Sequence, residues 1–222
     1  SITSMQYQAV VFDMDGVIFD TERLVIEFWK EVAKKHNIPN VEHTCIQCLG
    51  TNRVRTREIF LENYGADFPF DPYRAEVTEL FNTHYKGVPL PTKPGIRELL
   101  NYLQEQDIKV GLASSTAQHL VRDEIGTAGL LPYFQTLVCG DMVEHSKPAP
   151  DIFLKACEIL NADPTKSIAI EDSFNGIRSA HCAGMTPIMV PDQVQPTDEI
   201  RTLAFHVMPS LLDVLNWLKT LA

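Results

Sequence analysis

The chain changes rhythm near residue 88, and that change restricts its fold more than any other feature. From there on, apolar runs alternate with helical patterns. IKVGLASS (108–115) is followed by a helix over 117–125, and QTLVCG (135–140) by a helix over 150–160. SIAIED (167–172) is followed by a helix over 173–183, and then comes the run TPIMV (186–190). Pro94 suits the first turn of a helix that turns Ile96, Leu99, Leu100 and Leu103 inward. A short run, FHVM, leads to a last helix from about residue 210. Strands alternating with helices imply a parallel sheet joined by right-handed crossovers.

Before residue 88 the pattern is different. One apolar run, over 8–13, reads as a strand that joins the same sheet. Residues 21–35 then carry Leu24, Val25, Phe28, Trp29 and Val32 on one helical face, and further helical stretches lie near 53–64 and 72–86. No strand is expected between about 16 and 88. The predicted fold is therefore α/β: a Rossmann-like parallel-sheet core (1–16 and 89–222) carrying an inserted α-helical cap domain (17–88), with a cleft between them. A length of 222 residues accommodates both parts, and a chain 45% hydrophobic and 22% charged packs as a globule.

The formal net charge of -10 disfavours nucleic acid and anionic membranes as partners. No stretch approaches the roughly 18 apolar residues of a membrane span. The opening SITSMQYQ has neither the basic nor the apolar part of an export signal, and five cysteines, an odd number, suit a reducing compartment. The expected location is the cytoplasm. A monomer is expected, because a cap free of subunit contacts moves more easily.

In open parallel sheets, ligands bind beyond the carboxyl ends of the strands. Four places should meet there: Asp13 and Asp15 after the first strand, Ser114 with Ser115 after the second, Lys147 in the loop EHSKPAP, and Glu171 with Asp172 after SIAI. In extended chain, residues i and i+2 point the same way. Asp13 and Asp15 should share the cleft while Met14 faces away. Two carboxylates 4 Å apart repel by roughly 4 kcal/mol at an effective dielectric near 20, equivalent to about three pKa units. Such a cluster binds a cation, takes up a proton or pairs with Lys147, and a hard divalent ion, Mg²⁺, fits an all-oxygen site best. The same residues suit phosphoryl transfer. Asp13 would attack phosphorus and Asp15 would protonate the leaving oxygen. Ser114 and Lys147 would hold the phosphate oxygens.

Each piece has an ordinary alternative. Ser114-Ser115-Thr116 could cap the next helix, and Glu171-Asp172-Ser173 could begin another. Their order, each beyond an apolar strand, favours the functional reading.

These segments resemble the haloacid dehalogenase superfamily of phosphohydrolases, in the β-phosphoglucomutase-like phosphatase branch with a helical cap. The matching segments are FDMDGVIFDTE (12–22), LASS (112–115), SKPAPDIF (146–153) and IEDSFNGIRSAHCAG (170–184). The resemblance implies Asp13 as nucleophile, Asp15 as general acid/base, and Ser114 and Lys147 at the phosphate. It implies Mg²⁺ on Asp13, the Asp15 backbone carbonyl and Asp172, with Glu171 in or next to the metal shell. The implied reaction is Mg²⁺-dependent hydrolysis of a small phosphorylated metabolite, a sugar phosphate, through an aspartyl-phosphate. Two alternatives are a phosphomutase and a phosphate-dependent binding protein without turnover. The mutases place a histidine five residues after the aspartate of the DT pair, where this chain has Val25. The segment LGTNR (49–53) is similar to the family's substrate loop, so Arg53 and Asn52 are implied cap residues for the substrate, with Lys86 a further cation of the same kind. His43-x-Cys45-x-x-Cys48 lacks a fourth ligand for zinc and lies in the helical insertion, so it reads as cap packing.

Overall fold

The first strand shows why the site lies where it does. Residues 7–222 are described in this computed structural model; residues 1–6, most of the segment read above for an export signal, lie outside them. Strand β1 (Ala9–Phe12) is buried along its whole length, because both of its faces are covered by helices. It is central in a six-stranded parallel sheet of order β3-β2-β1-β4-β5-β6. The other strands are β2 (Lys109–Ser114), β3 (Thr136–Cys139), β4 (Ser167–Glu171), β5 (Thr186–Met189) and β6 (His206–Val207). The chain runs outward one way from β1 through β2 to β3, and the other way through β4 to β6. A crevice therefore opens at the carboxyl end of β1, where the winding reverses.

Register aligns the loops at that crevice. Phe12 lies opposite Leu112 on β2 and Ile170 on β4. The next residues, Asp13, Ala113 and Glu171, are thus neighbours at one end of the sheet. The Asp13 N–H donates to the Ile170 carbonyl at 3.0 Å, which extends the ladder by one residue.

The two faces of the sheet are packed differently. One face sets Val10, Phe12, Leu112 and Ile170 against helices α5 (Ile96–Glu105), α6 (Gln118–Thr127) and α10 (Leu211–Thr220). The other presents small residues, Ala9, Ala113 and Ala169, to α7 (Asp151–Leu160) and α8 (Phe174–Cys182). Small side chains there let α7 approach closely enough for Phe153 and Ala156 to be fully buried.

Between β1 and α5 lie helices α1 (Thr21–His36), α2 (Val41–Gln47), α3 (Arg53–Tyr64) and α4 (Phe70–Tyr85). They have their own apolar core, in which Trp29 stacks on Phe60 with ring centroids 4.5 Å apart and Phe70 packs 5.0 Å from Phe60. Val17, Ile18 and Phe19 still pack with the sheet core. The outgoing and returning chains are bonded together where they cross. The Lys93 N–H donates to the Ile18 carbonyl at 2.7 Å, and the Asp20 N–H to the Pro91 carbonyl at 2.9 Å.

Three elements go beyond the sequence reading. Helix α2 is seven residues long, too short to show a periodic face. Helix α9 (Asp198–Leu203) is six, started by Thr197, whose hydroxyl accepts from the Ile200 N–H. The run FHVM contributes a two-residue edge strand, β6, paired with β5. No helix among the described residues is long and apolar enough to cross a membrane.

Candidate active site

Lys147 organises the crevice. Its Nζ donates to Asp13 Oδ1 at 3.1 Å, Glu171 Oε2 at 2.6 Å and the Ala113 carbonyl at 2.9 Å. All three donors of the ammonium are thereby used, which allows a lysine to be 1% exposed. Burial works against its charge, but Asp13 and Glu171 outweigh it and raise the Lys147 pKa. Burial, then Asp13, push the Glu171 carboxyl up to about 8, against the pull of Lys147.

Asp15 is held differently. Its Oδ1 accepts from the Thr21 hydroxyl at 2.6 Å and its Oδ2 from the Thr116 hydroxyl at 3.0 Å. Burial raises its pKa, with Asp13 adding to the shift, while the two hydroxyl bonds oppose it. A carboxyl so placed is kept closer to its protonated form. Met14, between the two aspartates, is buried in the sheet core, as the alternation requires.

Asp172 is the anomaly. It is 1% exposed, and neither carboxylate oxygen has a hydrogen-bond partner among the described residues. Burial, with the adjacent Glu22 carboxylate, raises its pKa well above the carboxylate range. An oxygen from each of Asp13, Glu171 and Asp172 can lie within 4.8 Å of the other two. The donors are all carboxylate oxygens, a hard set without imidazole or thiolate, and the orphaned oxygens of Asp172 are the kind of group a cation satisfies. The residues present therefore fit a hard divalent ion.

The serines and threonine of the β2 loop do not cap α6. The residue at its N-cap position, Ala117, offers no side-chain cap, and Asp141 takes the Gln118 N–H instead. Ser114 is fully buried and accepts the Thr116 N–H at 3.2 Å. Ser115 donates to the carbonyl of Gly50, in the loop between α2 and α3, at 3.1 Å. Ser173 caps α8 by accepting the Gly176 N–H, so the turn after Glu171-Asp172 is also a helix start.

Asp13 and Asp15 open into a cavity of about 530 Å³ between the sheet and the helical insertion. Its far wall includes Val25, Trp29, Phe60, Arg74, Val77 and Phe81. Asn52 caps α3 by accepting the Arg55 N–H at 2.8 Å, and Arg53 is exposed on the first turn of that helix. Neither lines the cavity; Arg74 and Lys86 do. Burial, then the nearby Arg53, lower the Arg74 pKa. The sequence reading missed Arg74, which carries no motif signal. It also missed the roles of Thr21 and Glu22, although both stand within the quoted segment FDMDGVIFDTE. Cys45 packs in the core of the insertion with Cys48 against it, and burial pushes the Cys48 thiol up to about 12, the opposite of a reactive thiol.

Comparison with known proteins identifies the family. Residues 10–190 match the family model for haloacid dehalogenase-like hydrolases. A phosphorylated carbohydrates phosphatase of Thermotoga maritima is 33% identical, the match covering 82% of this chain and 83% of that protein. A β-phosphoglucomutase of Bacillus subtilis is 35% identical, with 85% of each chain covered. A hydrolase from Pseudomonas syringae superposes with a TM-score of 0.81 at 22% identity, covering 97% of this chain and 99% of that one, and so shares the fold. The motifs, the sheet order and these matches together make the chain a member of the haloacid dehalogenase-like hydrolase family.

Proposed function

We propose that the protein is a Mg²⁺-dependent phosphomonoesterase acting on a small phosphorylated metabolite, of the sugar-phosphate class. The observation that carries this reading is the buried set of Asp13, Lys147, Glu171 and Asp172, whose nucleophile candidate Asp13 faces the cavity beside Asp15. Asp13, the Asp15 backbone carbonyl and Asp172 would hold the ion, with Glu171 beside them. Bound there, the ion would offset the repulsion between the carboxylates and an incoming phosphate.

Lys147 fixes Asp13 through Oδ1, which leaves Oδ2 to attack phosphorus. The ester P–O bond breaks as the Asp13–phosphorus bond forms, and Asp15 gives its proton to the departing oxygen. Asp15, now ionised, takes a proton from water as that water attacks phosphorus. Inorganic phosphate leaves and the Asp13 carboxylate is restored. Ser114 and Ser115 would hold the phosphate oxygens, and Lys147, whose donors are engaged by Asp13, Glu171 and Ala113, would supply fixed positive charge at this phosphate site. Thr21 and Thr116 orient Asp15 for both proton transfers. The apolar wall from the insertion would keep bulk water from the aspartyl-phosphate.

The relatives' names support the substrate class: one is a phosphorylated carbohydrates phosphatase, and another is a fructose-1-phosphate phosphatase of Escherichia coli. Val25 lines the cavity with no acid or base to offer, which favours water over a sugar hydroxyl as phosphoryl acceptor. The test is phosphate release from sugar phosphates, nucleotides and other small esters, with Mg²⁺ and with chelator, beside Asp13→Asn. Mg²⁺-dependent release lost in Asp13→Asn is expected. Isomerisation of β-glucose 1-phosphate without release would make it a mutase, and metal-dependent binding without turnover a binding protein.

A further inference from the structure

Glu22 begins the helical insertion, on the first turn of α1. An acid there ordinarily complements the helix dipole, a task an exposed side chain performs as well. Glu22 is not so placed. Its Oε2 is buried without a hydrogen-bond partner among the described residues, the condition of both oxygens of Asp172. Gly16 bears on the same point from the other side. A methyl group built on it would overlap Asp172 Oδ2 and come within 2.7 Å of Glu22 Oε2, so the two carboxylates converge on one spot beside the Gly16 backbone.

The other acids nearby are already matched. Asp13 and Glu171 have Lys147. Asp15 has two hydroxyls. Asp192 has Lys93 at 2.5 Å. An oxygen of Glu22 can lie within 4.8 Å of oxygens of Asp172 and Asp192, so this group adjoins the first and shares Asp172 with it. Glu22 Oε2 and both oxygens of Asp172 remain with neither cation nor donor among the described residues.

We propose that Glu22 is part of the divalent-cation centre, holding the ion or one of its waters alongside Asp172. This rests on the metal-dependent reading above. Because Glu22 stands on α1, the ion would then join the helical insertion to the sheet core.

The test is Mg²⁺ binding to the whole chain without substrate, followed by calorimetry, for the parent, Glu22→Gln, Asp172→Asn and the exposed-surface control Glu79→Gln. Glu22→Gln should weaken Mg²⁺ about 10- to 100-fold, the range for groups that support metal ligands. Asp172→Asn should bind too weakly to measure, and Glu79→Gln should match the parent. Parent-like affinity in Glu22→Gln, with Asp172→Asn impaired, overturns the role of Glu22 and leaves the metal-dependent reading standing. A parent that binds no Mg²⁺ overturns both. If Glu22→Gln does not fold, Glu22→Asp keeps the charge but withdraws it by one methylene. That variant should also bind more weakly, and unchanged affinity in it overturns the assignment.

Discussion

Lys147 and Glu171 form a fully buried ion pair, Nζ to Oε2 at 2.6 Å, with side chains 1% and 0% exposed. The same ammonium reaches Asp13 at 3.1 Å. One cation therefore serves two carboxylates that would otherwise stand in low dielectric together. Lys147→Met should abolish phosphate release and cost about 3–5 kcal/mol of stability, the range for stranding a buried charge. Urea unfolding checks the second part. Because Mg²⁺ would offset the stranded carboxylates, the loss of stability should shrink when the ion is added.

The Asp15 proton can be tested through Thr116. The Thr116 hydroxyl donates to Asp15 and so favours its ionised form. Thr116→Val removes that donor and should raise the Asp15 pKa further. An enzyme that needs Asp15 protonated for its first step loses activity as pH rises past that pKa. The alkaline limb of the kcat/KM profile should therefore move to higher pH in Thr116→Val, while an unmoved limb would exclude Asp15 as its source.

Gly50 tests contact between the insertion and the core. Its φ is +77°, and a methyl group there would overlap the Ser173 side chain across the cleft. Gly65, at the end of α3, has φ of +101° but nothing within 4 Å. Both alanine variants should lose about 1 kcal/mol to backbone strain. Only Gly50→Ala should raise KM, because only there does the methyl group obstruct closure. Melting curves and steady-state kinetics on the pair separate the two effects.

Glu124 supplies a stability prediction. It lines the cavity, its Oε2 is buried without a partner, and burial followed by Asp15 pushes its pKa from 4.5 up to about 8. Between those values the folded chain holds a proton that the unfolded chain releases. This contribution to stability is complete below pH 4.5 and is lost as pH rises through about 8. Glu124→Gln should match the parent near pH 5 and exceed it at pH 9 by about 2 kcal/mol. The full linkage is reduced because water reaches one side of the residue. Chemical denaturation at the two pH values reads the difference.

Much of this was legible in one dimension. The alternation after residue 88, the single strand before it and the acids at strand ends are local patterns. Burial on both faces of a parallel sheet writes continuous apolar runs, and acids at the carboxyl ends of those runs, such as Asp13 just after β1 and Glu171 at the last position of β4, interrupt the pattern visibly. The short elements α2, α9 and β6 were not legible, because two to seven residues hold too little periodicity and their neighbours, rather than their own sequence, stabilise them.

By itself, the sequence determined that a parallel sheet would form and which acids would stand at its edge. Only the tertiary structure decided who partners whom. Parallel register set Asp13, Ala113 and Glu171 side by side, and thereby gave Lys147 three acceptors. Return of the chain through Lys93 placed the start of α1 over Asp172, leaving Glu22 and Asp172 face to face. Arg74 reached the cavity wall, and Arg53 did not, because of how α3 and α4 pack about Phe60. Lys147 and Asp13, for one, stand 134 positions apart in the chain. These pairings follow from the packing of whole elements, which no local pattern specifies.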